Sequence, residues 1–215
     1  MASELWCRPH VHMASIDQDI LVLDVEADRY HCLLNASALC HLDQYGRIEA
    51  PNQDTAEELI AAGWASREPL SVPRSHMIAA SRELVLWSKP PLRHLAAAAI
   101  ALATADRWLQ RKSLGELIGC GANAFLASDP PNAHAVSMRV SAVRQVRPWL
   151  PLRGECLQRT FRLRSYLAAG GIATQWIFGV RTWPFSAHCW LQIDDMVVGD
   201  RLDRILRYTP IMRVG

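Results

Sequence analysis

The sequence predicts an α+β chain in two parts, a small sheet-and-helix domain and a larger domain that runs from helices into an antiparallel sheet. Three observations carry this. Strand-like runs separated by turn residues fill residues 9–35. Apolar residues at helical spacing dominate from Leu92 to Ala168, and strand-like runs return from Thr174 to Asp200. Between the two parts lies "SREPLSVPRSH", Ser66 to His76, rich in Pro, Ser and charge, which reads as a linker. The expected division is 1–70, a linker at 71–86, and 87–215.

In the first part, "PHVHMAS", "DILVLDV" and "RYHCLLN" read as three strands of one antiparallel sheet. "NASALCHLDQY" has apolar residues at helical spacing, and Asn35 is placed to cap a helix there. "DTAEELIAAGW" predicts a second helix, capped by Asp54 and stopped at Gly63. In the second part, helices are predicted for Leu92–Gln110, for "SLGELIG", for "SDPPNAHAVSMRVSAVRQVRPWLP" up to Pro148, and for "GECLQRTFRLRSYLAAGG". "TQWIFGV", "HCWLQID" and "MVVGD" are the strands that follow.

Composition narrows the function classes. The chain has 215 residues, half of them hydrophobic, and a net charge of +2, which gives no strong pull toward nucleic acid. The most apolar stretch, Leu95–Ala105, is too short to span a bilayer, which needs about 20 apolar residues. The start "MASELWCRPH" lacks a signal-peptide core, so the chain reads as cytoplasmic, with no membrane partner. No P-loop and no G-x-G-x-x-G is present. The six Cys, at 7, 32, 40, 120, 156 and 189, form no C-x-x-C and read as reduced thiols. No metal site is expected. His10 and His12 share a strand face without a third ligand, and read as a solvated face.

The candidate chemistry lies in one Cys, one His and one Asp. Cys156 falls at a helix start, where free N–H groups and the helix dipole stabilise a thiolate and can bind an oxyanion. The alternative is a Cys packed under the helix. His188 follows the corner "WPFSA" and is flanked by aromatic residues that could exclude water. Cys189 is adjacent to His188, but strand neighbours point to opposite faces, so Cys189 is expected to pack. The acid depends on the hairpin. A two-residue turn at Asp194-Asp195 puts Asp200 on the face of Cys189. An odd loop, or a bulge, is therefore expected if Asp200 is to reach His188. Asp194 and Asp195 read as turn residues and Asp203 as solvated. Arg159, Arg162 and Arg164 crowd the helix after Cys156 and read as a solvated face that could steer an acidic peptide or a nucleotide.

The stretches "CLQRTFRLRSYLAAGGI", "IFGVRTWPFSAHCW" and "VVGD" resemble the leader peptidases of lasso-peptide biosynthesis, the B proteins of the microcin type. That family belongs to the transglutaminase-like branch of the papain-type cysteine proteases. Cys156, His188 and Asp200, separated by 32 and 12 residues, stand at the positions of its catalytic set. The resemblance implies a transglutaminase-like protease domain, and a winged-helix-like N-terminal leader-recognition element that takes the leader as an added strand. Arg29, Tyr30, His31, Cys32, Leu33 and Leu34, with Glu57, Glu58, Ile60 and Ala61, are the candidates for that groove. The element usually has three helices, and only two are convincing here. The implied partners are a lasso precursor peptide and an asparagine-synthetase-like lasso cyclase, in a bacterial cytoplasm. The cysteine chemistry needs no cofactor, although the microcin-type enzyme is linked to ATP. The other readings are a transglutaminase-like acyl transferase, in which an amine replaces water, and a non-catalytic leader carrier.

Overall fold

A computed structural model describes residues 3–72, 74, 76–86, 89–119 and 132–215. Cys120 and the prolines expected at a helix start, Pro130 and Pro131, lie outside the described residues. The chain is α+β and forms two compact units. One comprises residues 1–77 with 180–186 and 209–212; the other comprises 78–179, 187–208 and 213–215.

The first unit is rich in sheet. Strands β1 (Ser3–Cys7), β2 (Val11–Ile16), β3 (Asp19–Asp24), β4 (Arg29–Leu33), β5 (His41–Leu42) and β6 (Arg47–Ala50) precede helix α1 (Gln53–Ala61) and strand β7 (Ala65–Ser66). β2, β3 and β4 form a three-stranded sheet in chain order, with β4 at one edge. A second sheet has the order β5-β6-β1-β7. Leu5, Val11, Ile20, Val22, Ile48 and Ala56 make the core between them. β1 was not expected, although its alternation is legible: Leu5 and Cys7 are buried while Glu4 is exposed.

The helix expected at 35–45 is absent. Ala36–Ala38 forms one 3₁₀ turn, and Asn35 sits in the left-handed region at φ 56° without capping anything. Turn chemistry stops the helix there. The Asp43 carboxylate accepts from the N–H groups of Tyr45 and Arg47, both at 2.8 Å, and so folds the chain back into β6. The residues that follow, Arg47–Ala50, are therefore strand. α1 forms as expected, but its cap is Asn52, whose Oδ1 accepts from Thr55 N–H at 2.8 Å, and not Asp54.

In the second unit, β8 (Arg82–Glu83) is followed by α2 (Leu92–Leu109), α3 (Leu114–Gly119), α4 (Ala133–Val146) and α5 (Cys156–Ala168). Then come β9 (Gln175–Arg181), β10 (Ser186–Ile193), β11 (Met196–Val198), the short α6 (Leu202–Ile205) and β12 (Thr209–Val214), of which residues 180, 181, 186 and 209–212 belong to the first unit. The sheet order is β12-β9-β10-β11-β8. β8 was hidden inside the expected linker and pairs parallel to β11, a departure from an all-antiparallel sheet. α6 and β12 were also not expected.

Period-two alternation places the two faces of this sheet. Trp176 and Phe178 project to one face, 4.8 Å apart, and Trp176 lies 5.9 Å from Phe161 of α5. Ile177 projects to the other, with Trp190, Val197 and Ile205. Arg162 and Arg164, expected on a solvated face, are instead buried. Arg162 pairs with Asp106 of α2 and donates to the Arg153 carbonyl at 2.7 Å. Arg164 lies over the Trp176 ring. Each cation is tolerated inside because it has a partner.

Candidate active site

Cys156 is the first residue of α5, preceded by the N-cap Glu155. The chain before it turns at Gly154, with φ 126°, where a Cβ would meet Gln158 Cβ at 2.7 Å. Gln158 in turn accepts from Glu155 N–H at 2.9 Å. The helix start is thus fixed by contacts to its own first turn, which holds Cys156 at the positive end of the helix.

His188 and Asp200 come together. His188 is 4% exposed, and its Nε2 lies 2.6 Å from Asp200 Oδ2. The other carboxylate oxygen accepts from Arg201 N–H at 2.8 Å, and Arg204 stands 3.9 Å away. The expected route to this contact is wrong. The hairpin is a two-residue turn, with Leu191 opposite Val198 and Ile193 opposite Met196, and neither an odd loop nor a bulge. The ladder instead ends at Val198. Gly199 then takes φ 78° and turns Asp200 out of the strand alternation toward His188. A Cβ on Gly199 would also lie 2.5 Å from Leu163 Cδ2.

β11 covers only Leu191–Ile193 of β10, which leaves the β10 edge at His188 and Cys189 uncovered by it. Cys156 meets the strand there. Cys156, His188 and Cys189 line one cleft, and the Cys156 thiol interacts there with the His188 ring and with Cys189. Cys189 is buried, as expected, and also makes a polar contact with Thr160. His188 and Cys189 leave the strand on opposite sides, and both border the cleft that Cys156 lines. His188 shares its side with Trp190 and Tyr208, at ring distances of 6.3 and 5.2 Å. Cys189 turns toward α5, with Thr160 Oγ1 at 3.2 Å, and Trp176 Nε1 donates to that hydroxyl at 3.0 Å.

The electrostatics follow from these bonds. The Cys156 thiol falls from 9.0 to about 4, through donation from Cys189 S–H and then through His188, against partial burial. Cys189 is pushed up by the sulfur of Cys156 and by burial. Burial opposes a charge on His188, yet its bonds to Asp200 and Cys156 outweigh this and raise it. Asp200 is lowered, because hydrogen bonds from His188 and Arg201 N–H overcome its burial. A thiolate beside an imidazolium, backed by a carboxylate, is the resting charge pattern this arrangement favours.

The remaining expected residues fall elsewhere. Trp183 and Phe185 of the "WPFSA" corner belong to the first unit. They are 73% and 52% exposed, and they line a pocket of the first unit, of about 140 Å³, with Leu21, Tyr30, His31 and Cys32. Arg29, Tyr30, His31, Cys32 and Leu33 form the edge strand β4, and Leu34 follows it, 61% exposed. Among the described residues β4 pairs only with β3. The His31 ring lies 5.1 Å from Trp64, just past α1. On α1, Ile60 is partly buried, Glu58 and Ala61 are exposed, and Glu57 is paired with Arg67 at 2.5 Å. His12 is half-buried; burial, Arg74 and His10 push its pKa down to about 3. Among the described residues no group of three or more His, Cys, Asp or Glu could hold a metal ion. No helix of the described residues is long and apolar enough to cross a membrane. Sequence reasoning missed Thr160, Trp176 and Tyr208. Thr160 was within reach, one helical turn after Cys156.

A cysteine at a helix start, a strand histidine and a carboxylate on its far nitrogen make the arrangement of a cysteine-dependent acyl-transfer fold. Residues 98–213 match the family model of the transglutaminase-like superfamily, more than half of the chain, and the chain belongs to that superfamily. It includes cysteine peptidases and acyl transferases. No curated protein matches the chain, and no solved structure matches it.

Proposed function

We propose that this chain is a cysteine peptidase that holds the leader of a lasso-peptide precursor and cleaves the bond between leader and core. The observation that carries the reading is that Cys156, His188 and Asp200 line one cleft, with His188 bonded to Asp200. The edge strand β4, beside an apolar pocket, supports the leader-binding half, since a free edge accepts an extended peptide as an added strand. Residues 1–70 are then the recognition element, and a lasso cyclase takes up the released core.

Asp200 occupies Nε2 of His188, which leaves Nδ1 to face Cys156 and holds the imidazolium in place. The Cys156 thiolate attacks the scissile carbonyl carbon, and N–H groups at the start of α5 take the oxyanion. As the intermediate collapses, the C–N bond breaks, and the core amine leaves with the proton of His188. Water, deprotonated by the now neutral His188, hydrolyses the thioester and frees the leader acid. A transglutaminase-like acyl transferase would use the same groups with an amine in place of water.

The test is to incubate precursor peptide with the wild type, with Cys156→Ala and with Cys189→Ala, and to weigh the products. Free leader and free core from the wild type and Cys189→Ala, with bound but uncut precursor from Cys156→Ala, support the peptidase. A leader amide conjugate would assign acyl transfer, and uncut precursor from the wild type would assign a carrier.

A further inference from the structure

A cleft of about 540 Å³ opens in front of Cys156. Its floor is partly apolar, with Val143, Leu152 and Val198. Its charge is one-sided. Arg144, Arg147, Arg159 and Arg204 line it, and Asp200, already bound to His188, is the one acid among the lining residues. Some arginines elsewhere meet carboxylates: Arg47 pairs with Glu4, Arg67 with Glu57, Arg82 with Asp195 and Arg201 with Asp203. Among the described residues, Arg144, Arg147 and Arg159 have no such ion pair. Partial burial, together with Arg159 and Arg162, holds Arg147 below the usual guanidinium value. Like charges gathered at a reacting thiol cost free energy unless something of opposite charge completes them.

We propose that Arg144, Arg147 and Arg159 form a carboxylate-binding rim that selects substrates with acidic side chains flanking the scissile bond. The inference rests on reading Cys156 as the acyl-transfer nucleophile. The three guanidinium groups come from α4, the 3₁₀ turn at Arg147–Trp149 and α5. Separate cations around a partly apolar cleft suit carboxylates spaced along a peptide, whose aliphatic stems cover the floor. A polyphosphate would call for converging donors and a loop of backbone N–H groups. Arginine suits the task, since its fork pairs with a carboxylate through two parallel bonds.

Alkylation of Cys156 by iodoacetate and by iodoacetamide tests this without a known substrate. The two reagents differ by one negative charge. The rate ratio, iodoacetate over iodoacetamide, should exceed that of free cysteine by about 10-fold at low salt and shrink toward it in about 1 M salt, where the screening length is roughly 3 Å. Each of Arg144→Gln, Arg147→Gln and Arg159→Gln should lower the ratio by about two- to three-fold, and the triple variant should remove most of the excess. Arg111→Gln, outside the cleft, should leave it unchanged. N-acetyl-triglutamyl amide should slow iodoacetamide alkylation, the triglutaminyl amide should not, and the protection should vanish in the triple variant. An unchanged ratio in the triple variant and in all three single variants would overturn the proposal. So would protection by ATP without protection by the triglutamyl peptide. Failure of the underlying reading looks different: Cys156 would then alkylate with the pH midpoint of an ordinary thiol, whatever the ratio.

Discussion

Asp200 reaches His188, Oδ2 to Nε2 at 2.6 Å, from beyond the end of its strand. The even hairpin would send it to the wrong face, and Gly199 corrects this with one left-handed residue. Gly199→Ala should therefore act as a distant lesion of His188. An alanine at φ 78° costs about 1–2 kcal/mol by itself, and its Cβ collides with Leu163. The expected outcome is a lower Tm together with at least a 10-fold loss of precursor cleavage. A drop in Tm with full cleavage would show that Asp200 holds its place without the turn.

The charge pattern predicts a pH profile. With Cys156 at about 4, iodoacetamide should alkylate it down to about pH 4, far below an ordinary thiol. The ion pair also has a stability window. Asp200 is lowered, so its contribution is present above 3.8 and is lost as pH falls through its folded value. His188 is raised, so its contribution is full below 6.5 and is lost as pH rises through its folded value. The Tm gap between wild type and Asp200→Asn should thus be widest from about pH 4 to 6.5 and narrow on both sides. Cleavage by Asp200→Asn should fall by about 10²-fold or more. A pH-independent Tm gap would refute the pair.

The N-terminus of α5 was legible because Gly154, the Glu155–Gln158 contact and Cys156 are local to one turn. The helices α2, α4 and α5 were legible from their apolar spacing. What failed was non-local or competed with a local alternative. Leu39 and Cys40 stand at helical spacing from Ala36, but Asp43 offers the backbone a tighter turn. β8 is two residues long and exposed, and exists only because β11 pairs with it. Hairpin parity was correct as geometry up to Val198. It failed where the ladder stops, and no period-two argument locates that point. Alternation placed Cys189 in the interior, where it is buried, but it could not locate the partner it finds there, Thr160.

Cys189 gives a prediction that separates the two thiols. If its S–H helps to hold the Cys156 thiolate, Cys189→Ala removes one hydrogen bond, worth about 1 kcal/mol. Alkylation of Cys156 near pH 5 should slow by roughly 5-fold and its midpoint should move to higher pH. Cys189→Ser, which keeps a donor, should recover part of the rate. Equal profiles for wild type and Cys189→Ala would reduce Cys189 to packing.

Tyr30 tests the leader-binding reading. Its ring lies 5.5 Å from Phe185, on the edge strand and beside the small pocket. Truncating an aromatic anchor costs an interface more than about 1 kcal/mol. Tyr30→Ala should raise the Kd of a fluorescently labelled precursor by about 10-fold, which corresponds to about 1.4 kcal/mol. An unchanged Kd would move the leader away from β4.

Arg162 separates structure from chemistry on α5. It is 4% exposed, bonds to Asp106, and donates to the Arg153 carbonyl in the segment that leads into Cys156. Arg162→Lys keeps the charge but loses the fork, so it cannot hold both partners at once. The loss of a charged hydrogen bond predicts a destabilisation of roughly 2–3 kcal/mol by denaturant titration. The helix start should loosen with it, and alkylation of Cys156 should shift toward higher pH. Arg159→Lys, on the exposed side of the same helix, should leave stability within about 0.5 kcal/mol. If the two variants proved equally stable, the cation inside α5 would not be what ties the segment before Cys156 to α2.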